Sequence, residues 1–284
     1  MYNIMDRKHF NIRVLWNLKY RKDVVRLFNV LKYHGIGQNI YNLLNKLIVQ
    51  CGMDDKSIVD YLYSLKPSSF KPLRISSKTT SRELKRAEEI NDLISKSSVS
   101  VSMNSKYLDI GAGDGLITAS VGERIGIAKE NIYAVDLPQW IGEKQNVKVD
   151  IGSINYTFIG EECVLPFEDD TFEIITVLQT LHHVKNLKKM MGEIRRVCKK
   201  GGHVIIREHN AFNKYICLLI DIEHLIYGVF NDGMSTEQFF RNYYGDYFSI
   251  AIMDYMFSKL GLKQVFKTEK KNPTRHYYAV YELQ

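Results

Sequence analysis

Nine residues, Tyr107-Leu-Asp-Ile-Gly-Ala-Gly-Asp-Gly115, constrain this chain more than any other segment. Four residues of strand character run into three glycines at alternate positions, and a helical pattern begins at Leu116. Glycine permits backbone angles that other residues avoid, so such a loop can turn sharply and bring its N–H groups close to a ligand at the start of a helix. The segment therefore predicts a β–loop–α unit that seats a cofactor. A dinucleotide fingerprint of the form G-x-G-x-x-G would need glycine at 116, where Leu116 stands.

The surroundings of this unit predict an α/β fold. Tyr107–Ile110, 132–135, 154–159, 172–178 and 203–206 read as strands separated by stretches long enough for crossovers, the signature of a doubly wound, mostly parallel sheet. Residues 262–269 and 276–283 read as an antiparallel hairpin at its edge, for seven strands in all. A helix capped by Asn186 carries the apolar stripe Leu187, Met190, Met191, Ile194 and Val197, and Gly201 is expected to end it. The Met pair reads as core. Residues 1–96 form a helical extension, with helices expected over 24–31, 40–50 and 57–65, a basic link over 66–78, and a helix beginning at the capping-box pattern Thr80-x-x-Glu83. Residues 97–284 form the sheet domain, with a helical lid inserted over about 211–260.

Two carboxylates refine the ligand. Asp109 sits near the end of the first strand, where a negative charge suits an ammonium-bearing ligand better than a pyrophosphate. Asp136 ends the second strand, 23 positions after Gly113, where a ribose-binding acid is expected. An adenosyl group joined to an amino acid satisfies both; a helix cap at Asp136 and a turn at Asp109 are the structural alternatives.

At this point the chain resembles the class I, Rossmann-like S-adenosylmethionine-dependent methyltransferases, in particular the subgroup (type 11) whose fourth-strand motif contains Leu-His-His. The resemblance covers about residues 106–206. Leu108 to Gly115 is similar to that family's first motif, Val135-Asp136 to its ribose clamp, and Gly160-Glu-Glu-Cys-Val-Leu-Pro-Phe167 to its acidic stretch. Val177-Leu-Gln-Thr-Leu-His-His-Val184 is similar to the fourth-strand motif, and Glu193 to Gly202 to the helix and turn before strand five. The resemblance implies S-adenosyl-L-methionine as cofactor, held by Asp109, Gly111, Ala112, Gly113, Asp136, Leu137, Glu161, Glu162, Leu178 and Gln179, with Glu161 accepting from the adenine amino group. Lys200 replaces a proline usual before the double glycine.

Acceptor-side residues are expected where strand five ends in Arg207-Glu208-His209-Asn210. Glu208 and His209, with His182, are the candidates to orient or deprotonate an acceptor, and Arg207, Arg241 and Tyr244 to bind it. The alternatives are a salt-bridged network for the strand-five cluster, and a packing or backbone-bonding role for one of His182 and His183. Eight aromatics lie between Phe239 and Phe257, enough to stack a base or to build core. No metal site is expected, because the four cysteines show no C-x-x-C pair and no histidine at finger spacing.

Charge bears on the acceptor. The net charge of +7 is uneven: residues 1–106 hold 19 Lys and Arg against 9 Asp and Glu, whereas 107–284 hold 20 against 23. A basic third suits a polyanion such as RNA, the 5′ end of a message included, although abundant Lys, Asn, Ile and Tyr also follow from an AT-rich coding sequence. That composition is similar to enzymes of large DNA viruses. No Lys-Asp-Lys-Glu tetrad for ribose methylation is found, which leaves a base nitrogen as the RNA acceptor. A small-molecule or lipid acceptor is what the Leu-His-His subgroup implies. A third reading is a cofactor-binding, non-catalytic subunit that docks a partner enzyme through the N-terminal helices. An apolar fraction of 45 % and charged fraction of 25 % suit a globular protein. No run approaches the roughly 20 apolar residues of a membrane helix and no secretory leader is read, so a cytoplasmic protein, of host cytoplasm if viral, is expected.

Overall fold

In a computed structural model, the structure describes residues 80–97, 99–137, 154–230, 234–270 and 275–284, with Lys46, Asp60, Tyr61, Ser64 and Leu65. The expected helices over 24–31, 40–50 and 57–65 lie outside the described residues apart from those five positions, as does the link at 66–78.

The described chain runs α1 (Thr80–Lys96), β1 (Tyr107–Ile110), α2 (Leu116–Arg124), β2 (Ile132–Asp136), β3 (Asn155–Phe158), β4 (Phe172–Leu178), α3 (Leu187–Val197), β5 (Cys198–His209), α4 (Lys214–Phe230), α5 (Thr236–Asn242), α6 (Ile250–Ser258), β6 (Leu262–Glu269) and β7 (His276–Leu283). The seven strands form one sheet in the order β3-β2-β1-β4-β5-β7-β6. β1 pairs in parallel with β2 on one side and β4 on the other, and β6 and β7 pair antiparallel. The chain thus reverses its winding between β1 and β4, and in open sheets of this kind ligands bind beyond the carboxyl ends of the strands at that reversal. β1 and β2 are almost wholly buried, as strands covered on both faces must be.

Two boundaries differ from the sequence reading. The third helix is capped by Asn186, whose side chain accepts from Lys189 N, but it ends at Val197, and β5 starts at Cys198. Gly201, at φ +74°, lies within that strand, near where the β4–β5 register shifts. The chain divides into two compact units, one of 76–208, 249–270 and 276–284, the other of 1–75, 209–248 and 271–275. The helix at 80–96, which the sequence reading grouped with the N-terminal extension, belongs to the sheet's own unit. Its Ala87, Ile90, Leu93 and Ile94 are buried in one cluster with Tyr107, Val121, Ile132 and Tyr278. Its outer face is tied down as well: Tyr278 Oη and Glu89 are bonded, and Lys270 and Arg86 both reach Glu89.

Because Ile90 is fully buried, replacing it with alanine removes apolar contacts and leaves a cavity. Ile90→Ala is expected to destabilise the sheet unit by about 2–4 kcal/mol in urea unfolding; a loss below about 0.5 kcal/mol would contradict the placement of α1 in this core.

Candidate functional site

The glycine loop follows β1 directly. Gly111 N and Ala112 N both donate to Val135 O, which ties the loop's entry to the neighbouring strand β2. Gly111, Gly113 and Gly115 all have positive φ, of +77°, +57° and +74°. Two of them are glycine for different reasons. A Cβ at Gly111 would lie 2.1 Å from Thr180 Oγ1, so the loop after β4 forbids a side chain there; a Cβ at Gly113 would meet nothing within 4 Å. Gly113 therefore borders open space in a backbone conformation that suits glycine.

Asp136 holds this loop from β2. One carboxylate oxygen accepts from Gly113 N at 2.6 Å and the other from Leu137 N at 2.6 Å. Burial raises the Asp136 pKa, opposed by those two backbone bonds. The Gly113 carbonyl is held in turn by the Tyr156 hydroxyl of β3, which donates to it at 2.6 Å.

Asp109 lies in a different setting from the one its position suggests. It is buried, and its two oxygens accept from the hydroxyls of Thr118, at 2.6 Å, and Thr176, at 2.7 Å. The Tyr107 hydroxyl is 2.7 Å from Thr176 Oγ1, which extends the chain of hydroxyls. The carboxylate thus joins β1, α2 and β4 within the fold. Desolvation pushes its pKa up to about 6, against the two hydroxyl bonds, with the Asp136 charge adding to the rise.

The acidic turn after β3 is exposed. Glu161 is paired with Lys185 at 3.0 Å, both side chains more than half exposed. Such pairs contribute little, on the order of 0–1 kcal/mol, and their partners are readily exchanged. Glu162 folds over Gly160, where a Cβ would collide with its carboxylate.

The loop after β4 is organised by β5. Leu178 closes β4, and Gln179 follows at φ +59°. A non-glycine residue in that region costs about 1–3 kcal/mol unless its surroundings impose it. Here Gln179 N donates to Arg207 O at 2.7 Å, and its side-chain oxygen meets His276 Nε2 at 3.0 Å. Glu208 secures the next turn: one oxygen accepts from Thr180 N (3.1 Å) and Leu181 N (2.8 Å), and the other lies 2.5 Å from His182 Nδ1. Both groups are buried. Burial pushes Glu208 up to about 7 and drives His182 well below the usual imidazole range, the latter aided by His183 and Arg207. Desolvation thus disfavours the charged form of each group.

Of the three residues expected together at the acceptor side, His182 and Glu208 are in contact. The hydrogen bonds of Glu208 go to Thr180, Leu181 and His182, all in the loop after β4. His209 belongs to the second unit, its ring 5.8 Å from His224 and 6.2 Å from Tyr247. In that unit Arg241 is exposed and pairs with Glu237 at 3.1 Å on the same helix, and Tyr244 is half-buried. The aromatic run has a polar purpose that the sequence reading missed. Tyr243 and Tyr247 hydroxyls both donate to the fully buried Asp221, at 2.9 and 3.0 Å. The signal was present, since an acid flanked by Ile220 and Ile222 in a largely apolar run must find donors if it is buried. Tyr156, Thr118, Thr176 and His276 were likewise missed, as nothing in their spacing marks them.

Comparison with known proteins agrees with this geometry. Residues 108–206 match the family described as Methyltransferase domain. The ubiquinone/menaquinone biosynthesis C-methyltransferase UbiE of Idiomarina loihiensis is 36 % identical over 106 residues, 36 % of this chain and 42 % of that one. The sterol 4-C-methyltransferase strm-1 of Caenorhabditis elegans is 30 % identical over 116 residues, 40 % of this chain and 34 % of the relative. The chain thus spans less than half the length of these two relatives. The crystal structure of the PH0226 protein from Pyrococcus horikoshii OT3 superposes with a TM-score of 0.51 at 18 % identity, covering 79 % of this chain and 99 % of that one, a likeness of fold. Residues 108–206 are thus similar to a methyltransferase domain, and the sheet that carries them is Rossmann-like. No helix among the described residues is long and apolar enough to cross a membrane.

The Asp109 environment has a consequence for stability. A carboxyl raised from 3.8 to about 6 keeps its proton in the native state after the unfolded chain has lost it. Its contribution is greatest below about pH 4 and is lost as pH rises to about 6, a change of about 3 kcal/mol. Asp109→Asn is expected to remove that slope, so the stability difference between wild type and variant should narrow by this amount from pH 4 to 7 in urea unfolding; parallel curves would contradict it.

Proposed function

We propose that the protein is an S-adenosylmethionine-dependent methyltransferase, and that its acceptor is RNA. The observation that carries the first part is the glycine loop: Gly113 borders open space and is fixed by Asp136 beside the winding reversal of the sheet. The loop suits the cofactor. The backbone of Gly111, Ala112, Gly113 and Leu137 would border it, and the Asp136 carboxylate, whose oxygens can each accept a further hydrogen bond, would accept from its hydroxyls, with Asp109 contributing negative charge from beneath the loop. Leu178 and Gln179 would border it from β4, and Glu161 and Glu162 from the turn after β3. When bound, S-adenosylmethionine supplies a methyl group activated by a sulfonium.

The chain's own residues then hold the acceptor and keep the site ordered. Glu208 fixes the amides of Thr180 and Leu181, so the loop after β4 is held without depending on ligand. His182, which Glu208 holds in place, and His209 are the candidates to orient or deprotonate the acceptor. Arg207, Arg241 and Tyr244 would contact the acceptor. The weak exposed pair of Arg241 with Glu237 can be exchanged for a phosphate.

RNA is supported by the charge of residues 1–106, which lie outside the segment that matches the methyltransferase domain family. Phosphate contacts from clustered Lys and Arg give binding that weakens steeply with salt. A base nitrogen in a message is the acceptor that this reading favours, in the cytoplasm of the cell or of a viral host. A small apolar acceptor is the second reading, favoured by the names of the two relatives above, C-methyltransferases of ubiquinone/menaquinone biosynthesis and of sterols.

Transfer of labelled methyl from S-adenosylmethionine to capped RNA, uncapped RNA and a small-molecule and lipid extract separates these readings. Label in RNA, lost progressively between 50 and 200 mM salt, is expected. Label in the extract alone would replace RNA by the second reading. Transfer only after a partner protein is added would make the chain a cofactor-binding subunit that docks another enzyme through its N-terminal region.

A further inference from the structure

Gly113 is held twice. Its N–H is bonded to Asp136 of β2, and its carbonyl accepts from the Tyr156 hydroxyl of β3, each at 2.6 Å. A glycine beside open space can adopt positive or negative φ with similar ease, so one bond leaves the following peptide free to turn. Two bonds, to the peptide groups on either side of Gly113, fix both planes. We propose that Tyr156 is a positioning residue of the cofactor loop, whose hydroxyl presets the Gly113–Asp114 peptide so that S-adenosylmethionine and its product meet an ordered cradle. This rests on the methyltransferase reading above.

Three observations support it. First, Tyr156 is reached only through strand pairing: Ala134 is registered with Tyr156 and Asp136 with Phe158, so the edge strand β3 delivers the phenol to the loop beside the acid that grips the same glycine. Second, β3 is only four residues long and mostly exposed, and contributes little to the core; its polar reach is a stronger reason for a tyrosine there than burial. Third, burial and the nearby charges of Asp136, Asp109 and Asp114 raise the Tyr156 pKa, so the phenol stays protonated and remains a donor. Preorganising a loop strengthens binding by removing the cost of ordering it when the ligand arrives.

The test is calorimetric titration with S-adenosylhomocysteine of wild type, Tyr156→Phe and Phe158→Leu, with hydrogen exchange of the loop amides. Tyr156→Phe keeps the ring and removes one hydrogen bond, so binding should weaken roughly three- to tenfold. Amides of residues 111–116 should exchange faster while those of β1 and β4 do not. Phe158→Leu perturbs the same strand with the hydroxyl in place, and should keep wild-type affinity. Equal affinity of Tyr156→Phe and wild type, or an equal loss in both variants, would overturn the proposal, the latter by assigning the effect to the strand. Failure of the wild type to bind would instead overturn the methyltransferase reading on which it rests, and the loop exchange rates would still report whether Tyr156 holds Gly113.

Discussion

The contact between the Asp136 carboxylate and the Gly113 amide joins the two halves of the site. It ties the end of β2 to the turn that leaves β1, one of the two strands that flank the winding reversal. Around it the other bonds fall into order: Val135 O receives the amides of Gly111 and Ala112, Leu137 N completes the Asp136 carboxylate, and Tyr156 closes the far side of Gly113. Removing the acid would leave a loop of three positive-φ glycines with little to choose one conformation. The cradle is therefore as much a property of β2 as of the glycines themselves.

Two further buried acids order the same edge of the sheet by similar means. Asp109 draws the hydroxyls of Thr118 and Thr176 into the core, binding α2 and β4 to β1. Glu208 takes the first amides of the turn after β4 and the ring of His182. Both carboxyls are desolvated, and desolvation raises the pKa of each. A buried acid is costly unless it is bonded, and each here is bonded to a segment that must not move if a ligand is to be held. Gln179, kept at φ +59° between Arg207 and His276, shows the same economy: backbone strain is placed where β5 and β7 can impose it.

The sheet was legible because parallel strands buried on both faces are written as unbroken apolar runs, and the loop because positive φ in series selects glycine. Asp136 was legible from its interval to Gly113. Asp109 was marked by position, but its direction depends on Thr118 and Thr176, which are nine and 67 positions away. No local pattern reveals that. Gly201 shows a limit of another kind: glycine at a helix end usually signals the cap, yet here the strand has already begun at Cys198 and the glycine shapes a shift in register. For α1, charge and capping pointed to an extension, whereas its four buried apolar residues place it in the core. Charge patterns describe the exposed face of a helix, and packing is decided by the other.

The account depends on Asp136 fixing a loop that binds the cofactor, and calorimetry of Asp136→Ala with S-adenosylhomocysteine tests it most directly. The account predicts saturable one-to-one binding by wild type and at least a roughly tenfold loss in the variant, since a hydrogen-bonded charged partner contributes about 1.5–3 kcal/mol, with the circular dichroism of the sheet unchanged. Equal affinities in the two proteins would contradict it.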